Sequence, residues 1–180
     1  MHGIGQGFHE FPSRPVRILY KSGNFLSGPE PVSCHGCNAQ GRMGGTVATQ
    51  VREGFPEAFA AYEAAHVARG LRLGEVILVA CGARTIANAI TQRYYGNAAK
   101  TGRIYVDYGA VAAAVRSLDA AAAGTTDAAG KTVPPFETVA FPLIGAGLAG
   151  GDWARIAALL ETFSTRFVPV VYTRDGRAPA

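Results

Sequence analysis

Apolar positions recur along this chain with two periods, and the alternation between them predicts an α/β fold. In residues 14–20 (RPVRILY), Val16, Ile18 and Tyr20 alternate with polar or differently facing neighbours, as in a half-buried strand. A KSGN turn, Phe25-Leu26 and the Gly28-Pro29-Glu30-Pro31 punctuation lead to a buried strand over residues 32–37, ending at Asn38. The glycine-rich Gly41-Arg42-Met43-Gly44-Gly45 comes next. Beyond it Val47, Val51 and Phe55, four residues apart, mark a helix. Pro56 suits the first position of a second helix, where its missing N–H is not needed, with Phe59, Tyr62 and Ala65/His66 on one face. Residues 75–81 (EVILVAC) and 84–91 (RTIANAIT), parted only by Gly82-Ala83, predict neighbouring strands joined by a tight turn. The polar, aromatic stretch 92–103 (QRYYGNAAKTGR) predicts a surface loop. Val111, Val115, Leu118 and Ala122 predict a long amphipathic helix from about Asp107 to Gly124, and residues 124–135 then read as a mobile, linker-like loop. A strand at 137–141, a glycine loop at 145–151, a helix with Trp153, Ile156, Leu160 and Phe163 on one face, and a last strand, FVPVVY, complete the pattern. Strands and helices in alternation imply three layers, α/β/α.

A length of 180 residues fits one domain, and 48% hydrophobic against 17% charged residues supplies a core. We expect the domain to occupy 15–173, with a flexible extension at 1–14 and a flexible tail at 174–180. No run approaches the roughly 18 apolar residues of a membrane helix, and the first fifteen residues hold no apolar signal region, so the expectation is a soluble, cytoplasmic monomer. A net charge of +4 favours anionic partners without selecting nucleic acid, because along the sequence the basic residues are scattered; a phosphorylated small molecule fits equally well. Three cysteines, Cys34, Cys37 and Cys81, do not make a disulfide framework. Cys34-His35-Gly36-Cys37 has CxxC spacing but no second ligand pair, and on a strand Cys34 and Cys37 face opposite sides, so no metal is expected. His66 has no partner at ligand spacing and is placed at the surface or the core edge.

Chemistry concentrates in two glycine loops. Gly145-x-Gly147-x-x-Gly150 lies between a strand and a helix, where glycines let the backbone approach a pyrophosphate and N–H groups present positive charge to it. Classical dinucleotide binding fails on position: only thirty residues follow Gly150, and Val170 stands where the ribose-binding acid belongs. The first loop, Asn38 to Gly45, also leaves a strand and enters a helix. Two such loops at one sheet edge suggest a diphosphate, and neither holds the Gly-Lys-Ser/Thr of a nucleotide hydrolase.

Four segments taken together, Cys34-His35-Gly36-Cys37-Asn38-Ala39-Gln40-Gly41-Arg42-Met43-Gly44-Gly45, Leu73-Gly74-Glu75-Val76, Ala87-Asn88-Ala89-Ile90-Thr91-Gln92 and the stretch from Pro142 to Trp153 (PLIGAGLAGGDW), resemble the macro domain family, in its subgroup associated with ADP-ribose 1''-phosphate processing. They span about Val16 to Phe163. The resemblance implies a three-layer α/β/α fold with a mixed central sheet, and ADP-ribose or a related adenine dinucleotide derivative as ligand. It places the first loop (Gln40, Gly41, Met43, Gly44, Gly45, Thr46) by the distal ribose and the second (Ile144, Gly145, Ala146, Gly147, Leu148, Ala149, Gly150) around the diphosphate. Asn38 looks like the family's ribose-orienting asparagine, although an asparagine there also forms turns. Where the family commonly has an Asp for the adenine amino group, this chain has Asn24, followed by Phe25; an amide oxygen accepts without charge assistance.

A related deacylating branch is thought to use a Lys nucleophile and an Asp, but this chain has Gln92 and Ala149 at those places, and Gln92 supplies no amine. The expected chemistry is therefore cofactor-free, metal-free hydrolysis by water at the distal ribose. It would remove phosphate from ADP-ribose 1''-phosphate, or ADP-ribose from a modified protein or nucleic acid, with Asn38 and Asp152 as catalytic candidates. A non-catalytic reader is the alternative. Asp152 directly precedes a helix, where Asp is a preferred cap. Arg93, Tyr94 and Tyr95 either cover the ribose or merely pack on the surface.

Overall fold

The computed structural model describes residues 16–179. Its elements in chain order are β1 (Leu19–Ser22), β2 (Val32–Asn38), α1 (Thr46–Gly54), α2 (Pro56–Arg69), β3 (Val76–Cys81), β4 (Arg84–Gln92), α3 (Ala98–Thr101), α4 (Tyr108–Ala121), β5 (Thr125–Thr126), β6 (Thr132–Val133), β7 (Thr138–Phe141), α5 (Trp153–Phe163) and β8 (Val168–Thr173). Six strands form one mixed sheet in the order β1-β8-β7-β2-β4-β3, parallel throughout except where the edge strand β3 pairs antiparallel with β4.

Period-two alternation divides β2 between two cores. Val32 and Cys34 face α4 and α5, among Val111, Val115, Leu118, Ile156 and Leu160. Cys37 faces α1 and α2, with Val51, Ala58, Tyr62, Ile86 and Ile90. The two thiols therefore lie on opposite faces, as strand geometry requires. Leu118, Ile156 and Leu160 are each about 1% exposed or less, and burying such a side chain contributes about 1.5–3 kcal/mol. No helix among the described residues is long and apolar enough to cross a membrane.

Three local expectations differ from what is found. The first strand begins at Leu19, and the Arg14-Pro15 start expected for it lies outside the described residues, as does the 1–14 extension. Ile18 is buried as predicted, but its N–H donates to Glu161 of α5 (3.2 Å) rather than to the ladder. The 92–103 loop contains the short helix α3, capped by Asn97, whose side chain accepts from Lys100 N. Residues 124–135, expected as a linker, hold the β5–β6 hairpin. Asp127 organises it. Its carboxylate accepts from the N–H groups of Ala80, Ala129 and Lys131 at 2.7–2.9 Å, tying the hairpin to the outer edge of β3. Burial pushes the Asp127 pKa up, but these backbone donors outweigh it and hold the group below its ordinary value.

Candidate functional site

The loops after β2, β4 and β7 all leave the carboxyl ends of neighbouring parallel strands. The chain after β2 continues to one side, through α1 and α2 to β3 and β4, whereas after β7 it continues to the other side, to β8. The crevice between β2 and β7 is thus a topological switch point, the place where open α/β sheets bind ligands.

A two-lobed cleft opens there. The larger lobe, about 680 Å³, lies between the first glycine loop and the 92–97 loop, with Asn38, Gly41, Met43, Gly44, Gly45, Gln92 and Tyr95 in its wall. The smaller, about 400 Å³, lies between the start of α1 and the second glycine loop, lined by Gly45, Thr46, Gln92, Ile144, Gly145 and Gly147 among others. Gly45, Ala48, Gln92, Leu148 and Ala149 border both lobes. The two loops approach closely: a Cβ on Gly45 would sit 3.3 Å from Leu148 Cδ1.

Residues with unpaired backbone donors line the smaller lobe from two elements. Gly45 caps α1 without a side chain, so the first-turn N–H groups of Thr46, Val47 and Ala48 have no intrahelical partner, and all three residues line the lobe. Across from them, Gly145 (φ +72°) and Gly150 (φ +70°) adopt left-handed conformations that fold the second loop back on itself through Gly150 N–Gly147 O and Gly151 N–Gly145 O bonds. This leaves the N–H groups of Gly147, Leu148 and Ala149 without backbone partners among the described residues. A helix N-terminus opposed by free loop N–H groups is an anion site. Behind Gly36 of the lining, Thr91 Oγ1 is buried without a hydrogen-bond partner among the described residues, and a Cβ on Gly36 would come within 2.7 Å of it. Arg42 and Arg52 are the charged residues of the lining, and both belong to the larger lobe.

The first loop is held from inside. Asn38 Nδ2 donates to Arg42 O (2.7 Å), and its Oδ1 accepts from Gln40 N (3.0 Å) and Arg42 N (3.3 Å). From α2 the buried Tyr62 hydroxyl donates to Asn38 O at 2.6 Å. Burial pushes the Tyr62 phenol pKa up, which keeps it a neutral donor. Gln40 reaches across to accept from Tyr95 N (3.0 Å), and the Arg42 guanidinium lies 5.8 Å from the Tyr95 ring centre.

The Macro domain family model matches residues 34–160. The chain belongs to the macro domain family. Among solved structures it is similar to the macrodomain of Mycobacterium tuberculosis DarG, with 23% identity, 87% of this chain and 97% of that one covered, and a TM-score of 0.70. It is also similar to a macrodomain protein from Streptomyces coelicolor, with 28% identity, 87% and 99% covered, and a TM-score of 0.66. A third likeness is to Thermosipho africanus DarTG in complex with ADP-ribose, with 18% identity, 86% and 41% covered, and a TM-score of 0.63. No curated protein matches significantly.

Within this macro domain, six of the expected site residues stand outside both lobe linings: Asn24, Phe25, Gln40, Ala146, Gly150 and Asp152. Asn24 is exposed, and its amide oxygen, expected to accept from an adenine, accepts from Leu26 N (2.9 Å) in its own turn. Phe25 is buried in the α1–α2 core. Asp152 is exposed and caps α5, accepting from Arg155 N (3.3 Å), while its own N–H donates to the Tyr108 hydroxyl (2.9 Å). The Asn38 side chain lines the cleft but is committed to its loop, so the turn-forming alternative describes its bonds. Gln92 stands between the lobes and donates from Nε2 to Tyr94 O (2.8 Å). Sequence reasoning missed Gly36, Arg42, Val47, Ala48, Arg52, Phe59, Gly96, Asn97, Pro142 and Leu143 in the lining. Most adjoin residues already singled out, and loop membership was the available signal. Arg52 and Phe59 reach the cleft only through the packing of α1 against α2.

Proposed function

We infer that this macro domain binds ADP-ribose, or a closely related adenine dinucleotide derivative, and serves as a reader of that group. The observation that carries the ligand class is the smaller lobe, lined together by the α1 N-terminus and by residues 147–149, whose N–H groups have no backbone partner among the described residues. A diphosphate brings two charges to two such donor sets, and the larger lobe beyond Gln92 then receives the distal ribose. The ADP-ribose complex of the similar Thermosipho africanus DarTG supports the same class. With Asn24 uncharged and engaged in its own turn, the diphosphate and ribose carry more of the affinity than the adenine.

The preference for a reader over a hydrolase rests on the lining. Among the described residues neither lobe is lined by a carboxylate, imidazole, thiol or lysine amine, and a general base must stand within hydrogen-bond reach of its proton. Hydrolysis of ADP-ribose 1''-phosphate, or of ADP-ribose attached to a macromolecule, would therefore need the substrate's own oxygens to position the water. Calorimetry with ADP-ribose against AMP and ATP tests the ligand, with heat expected for ADP-ribose; silence at high micromolar ligand would overturn it. Incubation with ADP-ribose 1''-phosphate, ADP-ribosylated protein and ADP-ribosylated DNA tests the reader. No turnover is expected on any of the three, and product from one would restore the hydrolase.

A further inference from the structure

The outer edge of the sheet, on the far side of β3, is only half closed. Glu75 O accepts from Ile90 N (2.9 Å), so in the antiparallel register of β3 and β4 the backbones of Ile77, Val79 and Cys81 turn inward to β4, and those of Val76, Leu78 and Ala80 turn outward. The β5–β6 hairpin takes one end of that outer row: Ala80 N donates to Asp127 (2.9 Å), and Leu78 O accepts from Ala128 N (3.0 Å). Among the described residues nothing bonds the N–H and C=O of Val76 or the N–H of Leu78. Such open groups on an edge strand are a template for another chain.

Val76 and Leu78 line a groove of about 950 Å³ bordered by α2, α4 and the hairpin. Its walls are small side chains, among them Ala61, Ala64 and Ala68 on α2, and Ser117 and Ala121 on α4. A helix laid in it would leave the three backbone groups unpaired, because its own N–H and C=O groups bond within it. An extended chain meets all three, as in strand addition to a sheet edge.

The hairpin and the charges set the direction. With Leu78 O and Ala80 N taken, an added strand stops opposite Leu78. Glu57, Asp127 and Lys131 all line the groove. Burial pushes the Cys81 thiol pKa up, Glu57 and Asp127 push it the same way and Lys131 pulls it down, so all three charges lie about the last residue of β3. Glu57 has no ion-pair partner among the described residues. Two carboxylates against one ammonium favour a cation here. A strand antiparallel to β3 brings its α-ammonium to this end, whereas a parallel one brings a carboxylate.

We propose that the open half of the β3 edge captures the N-terminal end of a partner polypeptide as a strand antiparallel to β3, with its α-ammonium toward Glu57. The C=O of the partner's first residue accepts from Leu78 N–H, and its third residue exchanges both bonds with Val76. Side chains one and three then share the face of Leu78 and Val76, toward α4, while side chain two shares the face of Ile77, toward the α2 alanines, where a branched aliphatic group fits.

The probe is a hexapeptide, Ala-Val-Thr-Val-Ser-Lys, labelled on its lysine and added to the full chain; anisotropy reads affinity and amide exchange by NMR reads the edge. The peptide is expected to slow exchange at Val76 and Leu78 and to leave Ile77 and Val79, already bonded to β4, unchanged. Methylating the nitrogen of its third residue removes the donor to Val76 O and should weaken it by roughly tenfold, the upper end for one hydrogen bond. Acetylating its amino terminus should weaken it roughly two- to fivefold. Glu57→Gln should do the same to the free peptide, leave the acetylated one alone, and keep the wild-type heat with ADP-ribose. No binding at about 1 mM peptide, unchanged exchange at Val76 and Leu78, or equal affinity of the methylated or the acetylated peptide would each overturn the proposal. Slow exchange at both amides in the protein alone would also overturn it, because this chain or a second copy of it would already hold the edge.

Discussion

Replacing Gly147 by valine separates the anion site from the fold. Gly147 has an ordinary backbone conformation, lines the smaller lobe, and has no heavy atom within 4 Å of the position a Cβ would take. The folded protein should therefore accommodate the side chain with little change in stability. A diphosphate should not, because the new methyl groups stand where it must approach the N–H groups of residues 147–149. Hydrogen bonds to charged groups are worth roughly 1.5–3 kcal/mol each, so losing two costs about 3–6 kcal/mol, or roughly 10²- to 10⁴-fold in affinity. Gly145→Ala is the matched contrast. At φ +72° an alanine costs about 1–2 kcal/mol, and its Cβ would meet Val106 Cγ2 at 2.7 Å and Ile156 Cδ1 at 3.2 Å, overpacking that costs about 1–3 kcal/mol more. At roughly 2–4 °C per kcal/mol its melting temperature should fall by about 4–20 °C. Calorimetry with ADP-ribose and thermal melts on both variants read the two effects separately. Unchanged affinity in Gly147→Val, or a wild-type melt for Gly145→Ala, would refute the geometry of the second loop.

Three further outcomes follow from named contacts. Tyr62→Phe removes the buried donor to Asn38 O and should cost about 1–3 kcal/mol in denaturant titration, with weaker ADP-ribose binding as the first loop loosens. Asp152→Asn should leave both stability and ADP-ribose binding near wild type, since asparagine caps as well as aspartate, while Asp152→Ala should lose about 0.5–2 kcal/mol; a loss of binding in the asparagine variant would return Asp152 to the site. Stability should fall on acidification from pH 6.5 to 4. Burial lowers the His35 pKa from 6.5 to about 4, against a smaller upward pull from Asn88, so the unfolded chain takes up the proton first and stability rises with pH across that window, by about 3 kcal/mol in all. Glu30 and Asp127, both held below their ordinary values, extend the loss below about pH 4. A flat stability profile between pH 6.5 and 4 would mean that His35 is not buried neutral.

The strands, the main helices and both glycine loops were legible because each has a local cause: small and β-branched residues in Val32–Asn38, buried on both faces, Pro56 at a helix start, Asp107 just before a helix and Asp152 as a cap. The hairpin at 124–135 was hidden by its polar composition. Its signal is there, in the β-branched pairs Thr125-Thr126 and Thr132-Val133 around the Asp127-to-Gly130 turn, but each strand is two residues long. For Asp152 the sequence supplied both candidate roles and no means of choosing. The structure shows the cap, and α4 buttresses it: Tyr108 accepts from Asp152 N and lies under Arg155, with the guanidinium 3.9 Å from the ring centre. The approach of the first loop to the 92–97 loop was illegible for the same reason, since Gln40 and Tyr95 are fifty-five positions apart and meet only through the parallel pairing of β2 with β4.

The same pairing explains why polar residues are buried beneath the site. In register on neighbouring strands, His35 of β2 and Asn88 of β4 share a 2.8 Å hydrogen bond, and Asn88 Nδ2 donates onward to Ala58 O in α2. One turn further along α2, Tyr62 donates to Asn38 O where β2 becomes the first loop. Each bond fixes α2 against the carboxyl end of the sheet, and an apolar replacement at Asn88 or Tyr62 would leave a buried acceptor unpaired. Through these bonds α2 is registered on β2, and Asn38 in turn sets the path of Gln40 and Arg42. The first loop is therefore shaped before any ligand arrives, so the entropy of ordering it is met in folding and does not weaken binding. The Asn38 side chain, through its bonds to Gln40 and Arg42, thus shares in shaping the wall of the larger lobe.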